Sequence, residues 1–128
     1  MNKAVAAEWA RALRSLQTAQ HDLAVGDPDA SASRAYYAVF HAVTAFFLFE
    51  GREFTKHEAL DAAVHRDLVK PGRVSRDFGA SFTRLRSLRM LGDYGGEERV
   101  TGSMASESIE RARLMFDELR KLSGGALE

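Results

Sequence analysis

A chain of 128 residues, 45% hydrophobic and 28% charged, has the size and polarity of one folded domain that buries roughly two-thirds of its unfolded surface in a single core. The absence of cysteine excludes disulfides, thiol catalysis and any Cys-ligated zinc or iron–sulfur centre, leaving only His and carboxylates for metal chemistry. Eighteen Lys+Arg against eighteen Asp+Glu cancel, so there is no global basic field and any contact with RNA must be local.

The first helix is expected over Asn2 to Val25, where Val5, Trp9, Leu13, Leu16 and Leu23 recur at mostly three- and four-residue steps with Glu8, Arg11, Arg14, Ser15 and Asp22 between them. No apolar run approaches the ~20 residues of a membrane span. The opening residues meet a charge too early for the apolar region of a secretory signal, so a cytoplasmic location without membrane contact is expected. Gly26-Asp27-Pro28-Asp29 combines a helix-ending glycine with a proline and acids suited to a new first turn, and predicts a tight connection between antiparallel helices.

From Ala30 to Glu50 the apolar residues, among them Tyr36, Val39, Phe40, Val43, Phe46 and Phe47, cover nearly the whole circumference. A helix of that kind belongs in the middle of a bundle, and Gly51 ends it. Thr55-Lys56-His57-Glu58 has the spacing of a capping box, with Leu60, Val64 and Leu68 behind it, so a short third helix is expected before Pro71-Gly72. Ser75 is the predicted N-cap of a fourth helix that turns Phe78, Phe82, Leu85, Leu88 and Leu91 inward and ends near Gly92. A glycine-rich loop over Gly92 to Gly102 leads to a fifth helix from Ser103, closed by Gly124-Gly125. The predicted fold is all-α, one domain over 1–128: an antiparallel bundle of about five helices, four up-and-down in the core plus a short one.

Chemistry concentrates in two places. Ser33, Tyr37, His41 and Thr44 form a polar stripe on the otherwise apolar second helix, and Arg34 stands two turns before His41 on the same side. Such groups need partners, so the stripe is either a hydrogen-bond network holding the bundle in register or the wall of a cleft. Arg86, Arg89, Asp93 and Tyr94 close the fourth helix. Arg89 and Asp93, four apart, fit a helix salt bridge, and Tyr94 fits either a partner or base at the lip of the loop or a staple over the helix end. Arg73, Arg76, Arg84, Arg86 and Arg89 crowd one stretch with only Asp77 as an acid, which reads either as a solvated face or as an anion track. His21 is expected in solvent. His57 and His65 are eight apart on the short helix, too far for a two-His metal pair, so neither metal nor cofactor is expected.

The run Ser33-Arg34-Ala35-Tyr36-Tyr37-Ala38-Val39-Phe40-His41-Ala42, then Lys56-His57, then Arg89-x-x-x-Asp93-Tyr94, together resemble the small HEPN proteins of the UPF0332-like type, often encoded beside a minimal nucleotidyltransferase. The resemblance spans roughly Ala10 to Leu119. It implies nucleotide or RNA binding, a nucleotidyltransferase partner, a homodimer and a place in a toxin–antitoxin module. Catalytic HEPN proteins are metal-independent RNases with an Arg-x(4–6)-His motif, in which the His moves protons at the ribose or leaving oxygen and the Arg steadies phosphate charge. Here the fourth-helix position of that His holds Asp93, whose ionised carboxylate repels phosphate. Arg34 and His41 satisfy the string but stand on the second helix.

Three functions follow. The first is a nucleotide- or RNA-binding protein with a cleft between the second and fourth helices lined by Arg34, Tyr37, His41, Arg86, Arg89, Asp93 and Tyr94, arginines gripping phosphate and tyrosines stacking on bases. The second is a metal-independent endoribonuclease using His41 or Asp93 with Arg89. The third is a non-catalytic interaction or dimerisation module, for which an exposed patch of Phe47, Phe49 or Phe54 would argue.

Overall fold

A computed structural model describes residues 2–128. Helix α1 spans Lys3–Ala24, α2 Pro28–Phe49, α3 His57–Ala63, α4 Arg76–Tyr94 and α5 Gly102–Leu122, and the described residues contain no strand. The all-α bundle of five helices expected from the sequence is what the chain forms. Among the described residues no helix is long and apolar enough to cross a membrane.

Local chemistry sets the helix ends. Asn2 caps α1 by accepting from the Val5 amide at 2.9 Å. At the other end Gly26 takes φ +86°, and the amides of Gly26 and Asp27 return to the carbonyls of Leu23 and Asp22. This closure needs a left-handed residue, which glycine adopts without a Cβ penalty. Asp27 then accepts from the Ala30 amide and Pro28 fills the first turn of α2, so α2 starts two residues before the apolar pattern suggests.

The core follows the sequence pattern. Helix α2 buries Ala32, Ala35, Tyr36, Val39, Val43 and Phe46 among others and packs between α1, α4 and α5. Alanines at 12 and 19 of α1 and at 35, 38, 42 and 45 of α2 are fully buried, which lets the two backbones approach closely. Two hydroxyls fix the antiparallel register: Ser31 donates to the Ala19 carbonyl at 2.7 Å and Ser15 to the Arg34 carbonyl at 3.0 Å. Trp9 and Phe116, 5.1 Å apart, join α1 to α5.

The structure departs from the sequence reading around α3. Thr55 and Glu58 make no capping box; Lys56 precedes the helix without a side-chain cap. After Ala63 the chain loosens into a π-helical run, Val64–Val69. The Lys70 amide bonds the His65 carbonyl at 2.9 Å across that wider spacing. Asp67 within it pairs with both Arg52 and Arg66. Ser75 caps α4 as expected, accepting from the Phe78 amide.

A second departure bears on function. Helix α4 runs past Gly92 to Tyr94, and Thr101, not Ser103, caps α5 by accepting from the Met104 amide. Gly92 is helical, and a Cβ there would lie 2.9 Å from the Asp29 carbonyl oxygen. Its bare backbone lets the last turn of α4 rest on the first turn of α2. Asp29 completes the junction, accepting from the Val100 amide at 2.8 Å and pairing with Arg99 at 3.0 Å.

Candidate functional site

That junction carries Asp93 and Tyr94 on a helical turn facing the polar stripe of α2. Arg89, one turn earlier, donates from Nη2 to the Tyr37 hydroxyl at 2.9 Å. Its Nε lies 3.1 Å from Asp93 Oδ2 as an ion pair but is not aligned for a hydrogen bond. Three rings enclose the guanidinium, whose central carbon is 5.2 Å from the Tyr37 centroid, 5.7 Å from Tyr36 and 5.8 Å from Tyr94. Such contacts are electrostatically favourable for a cation, more so where water is thinned out. Ser33 donates to Asp93 Oδ2 at 3.4 Å.

The rings differ in what they offer. Tyr36 is buried, and burial pushes its phenol above the ordinary value, partly offset by Arg86 and Arg89. Tyr94 is 68% exposed and presents an open face. Tyr37 lies between, half-buried. Its ring faces His57 edge-on at 6.5 Å, and His57 stacks on Phe40 at 4.1 Å. The result is a cluster between α2 and α4 in which aromatic faces surround one cation.

The seven residues expected in one cleft divide into three neighbouring groups. Tyr37, Arg89, Asp93 and Tyr94 cluster together. Arg86 leans the other way, 3.8 Å from Asp61 of α3. Arg34 and His41 line a groove on the neighbouring, α1-facing side of α2. There His41 Nδ1 meets Glu8 Oε1 at 2.5 Å; facing a carboxylate, that nitrogen carries the proton, and Nε2 is the atom left for other partners. The Tyr37 and His41 rings are 6.5 Å apart, so the two sides of α2 adjoin along one stripe. Thr44 takes no part, its hydroxyl bonding the Phe40 carbonyl.

Two contributors escaped the sequence reading of the site. Glu8 was noted only as a polar residue of the first helix; its position opposite His41 depends on the α1–α2 register. As a site residue, His57 enters the sequence reading only among the metal candidates; its place beside Tyr37 goes with its stacking on Phe40. The aromatic patch sought near the end of α2 does not form: Phe47 is fully buried, Phe54 packs on it at 5.0 Å, and only Phe49 is exposed.

The HEPN domain profile matches residues 6–122. The chain belongs to the HEPN family. Among its relatives, a UPF0332 protein of Thermotoga maritima is 34% identical over 90 residues, covering 70% of this chain and 68% of that one. A candidate toxin of Methanocaldococcus jannaschii is 28% identical over 89 residues, covering 70% and 66%. The HEPN fold is also that of a crystallised Thermus thermophilus protein, which superposes with a TM-score of 0.80 at 21% identity, over 95% of this chain and 99% of that one.

Proposed function

We propose that this HEPN protein binds a nucleotide or RNA in the cleft between α2 and α4 and serves as the toxin-like or substrate-binding half of a module whose other half is a nucleotidyltransferase. The observation that carries this reading is the Arg89 guanidinium, oriented by the Tyr37 hydroxyl and framed by three tyrosine rings. An arginine held this way offers a fork of donors to phosphate, and an exposed Tyr94 beside it offers a stacking face to a base. The toxin-like relative and the family's RNA chemistry support the same direction. A cytoplasmic homodimer is part of this reading.

Asp93 qualifies the chemistry. Its carboxylate neutralises Arg89 in the free protein, so a phosphate entering the cleft must displace Asp93 or share the arginine with it. This favours reversible binding over cleavage at this end of α4.

The second reading, a metal-independent endoribonuclease, has one observation of its own: His41 is backed by Glu8, as a proton-transfer histidine needs to be held in one tautomer. Total cellular RNA incubated with the purified chain in EDTA separates the readings. Arg89→Ala, Asp93→Asn and His41→Ala are run beside the parent, with RNA and nucleotide binding measured on the same proteins. Binding that falls at least tenfold in Arg89→Ala, with RNA intact in every lane, is the result expected. Cleavage lost in His41→Ala would transfer the assignment to the nuclease. Absence of any binding by the parent would refute the cleft.

A further inference from the structure

Among the described residues only three arginines, Arg14, Arg34 and Arg76, have no carboxylate within 4.0 Å. Two of the three, Arg14 and Arg34, line one groove, which runs between α1 and α2 with Arg11, Ser15, Thr18 and His41 as its other walls. None of these lining residues is acidic; the carboxylate beside them is Glu8, shared by His41 at 2.5 Å and Arg11 at 3.5 Å. Three guanidinium charges thus face a single acid in a protein whose charges otherwise cancel. An electrically neutral chain that pairs nearly every other arginine leaves this groove positive.

We infer that the α1–α2 groove is a phosphodiester track, which extends the α2–α4 cleft and makes the ligand a single-stranded nucleic acid rather than a lone nucleotide. The inference rests on the nucleic-acid reading of the cleft. Arg11 and Arg14 stand on one side of α1, and Arg34 and His41 are seven residues apart on α2, about 10 Å along the helix. The guanidinium forks of Arg11, Arg14 and Arg34 suit phosphates, to which arginine binds bidentately. Tyr37 stands between Arg34 and His41 on α2, its ring 6.5 Å from the His41 ring and 5.2 Å from the Arg89 carbon. A polymer carrying bases uses both the charged track and the tyrosine faces. An acidic peptide would use only the track.

The test is fluorescence anisotropy of a labelled oligouridylate of about eight nucleotides, within the usual single-strand site size, between about 50 and 200 mM salt. The full chain is compared with Arg14→Gln, Arg89→Ala and Arg76→Gln, the last removing an equal charge elsewhere. Arg14→Gln is expected to bind several-fold more weakly at low salt and to lower the slope of log affinity against log salt by about 0.7, one single-strand phosphate contact. Arg76→Gln should match the parent in both. Equal losses in Arg14→Gln and Arg76→Gln would reduce the effect to net charge and overturn the track, as would displacement of the oligonucleotide by polyglutamate of equal charge. Parent-like affinity and slope in Arg14→Gln, with binding lost in Arg89→Ala, would refute the track and leave the cleft standing. A parent that bound no oligonucleotide would take both away. Arg14 is exposed, and circular dichroism melts check that its variant is folded.

Discussion

The Tyr37 hydroxyl accepts a hydrogen bond from Arg89 at 2.9 Å, joining the middle of α2 to the last turns of α4. The arginine side chain is 19% exposed, so its donors cannot all turn to water. Tyr37→Phe is therefore expected to lower stability by about 1.5–3 kcal/mol, the range for a hydrogen bond to a charged group. Urea unfolding of Tyr37→Phe, Arg89→Lys and the double variant measures it. Additive losses would show that the bond does not couple the two helices.

Gly92→Ala tests the close approach of α4 to α2. Alanine is the better helix former by about 1 kcal/mol, yet its Cβ would sit 2.9 Å from a backbone oxygen, which cannot swing aside as a side chain can. A net destabilisation of about 1–3 kcal/mol is expected from the overpacking, together with weaker ligand binding as Asp93 and Tyr94 shift. A rise in Tm would mean that the junction yields freely.

Glu107 binds Arg84 and Arg111 between α4 and α5, and hydrogen bonds from first Arg84 and then Arg111 hold its carboxyl at about 2 against an ordinary 4.5. The folded state therefore favours the ionised form. This stabilisation is complete above pH 4.5 and is lost as pH falls towards about 2. Urea midpoints followed through that window should fall less steeply in Glu107→Gln than in the parent.

Tyr36 is buried beside Phe82, ring centroids 6.2 Å apart, and burial raises its phenol above the ordinary 10. Raising the pKa of an acid favours its neutral form in the folded state, so the contribution is present below pH 10 and is lost as pH rises past it. A spectrophotometric titration should show a tyrosine step above the ordinary 10, and Tyr36→Phe should remove that step.

Much of this molecule was legible in its residues. The all-round apolar character of α2 identified the central helix, and the Asp27-Pro28 and Ser75 caps marked two starts, because these signals act within one turn of chain. Gly92 misled for the same reason. A glycine beside other glycines reads locally as a helix end, whereas here it admits the backbone of Asp29, a contact made from far along the sequence. Thr55 and Glu58 had capping-box spacing, but the box does not form. The Arg89–Asp93 pair followed from spacing along one helix. The separation of Arg34 and His41 from Arg89 did not, because it depends on which side of α2 each neighbouring helix occupies.

The register of α1 against α2 rests on serine hydroxyls bonded to main-chain carbonyls and on a seam of alanines. A carbonyl oxygen is supplied by almost any residue, so these bonds demand nothing of the side chain opposite. Outward positions of α1 such as Arg11, Arg14 and Thr18 can therefore be exchanged without shifting the helix pair. The fold separates what aligns the helices from what they display, and a lineage can revise the display one residue at a time.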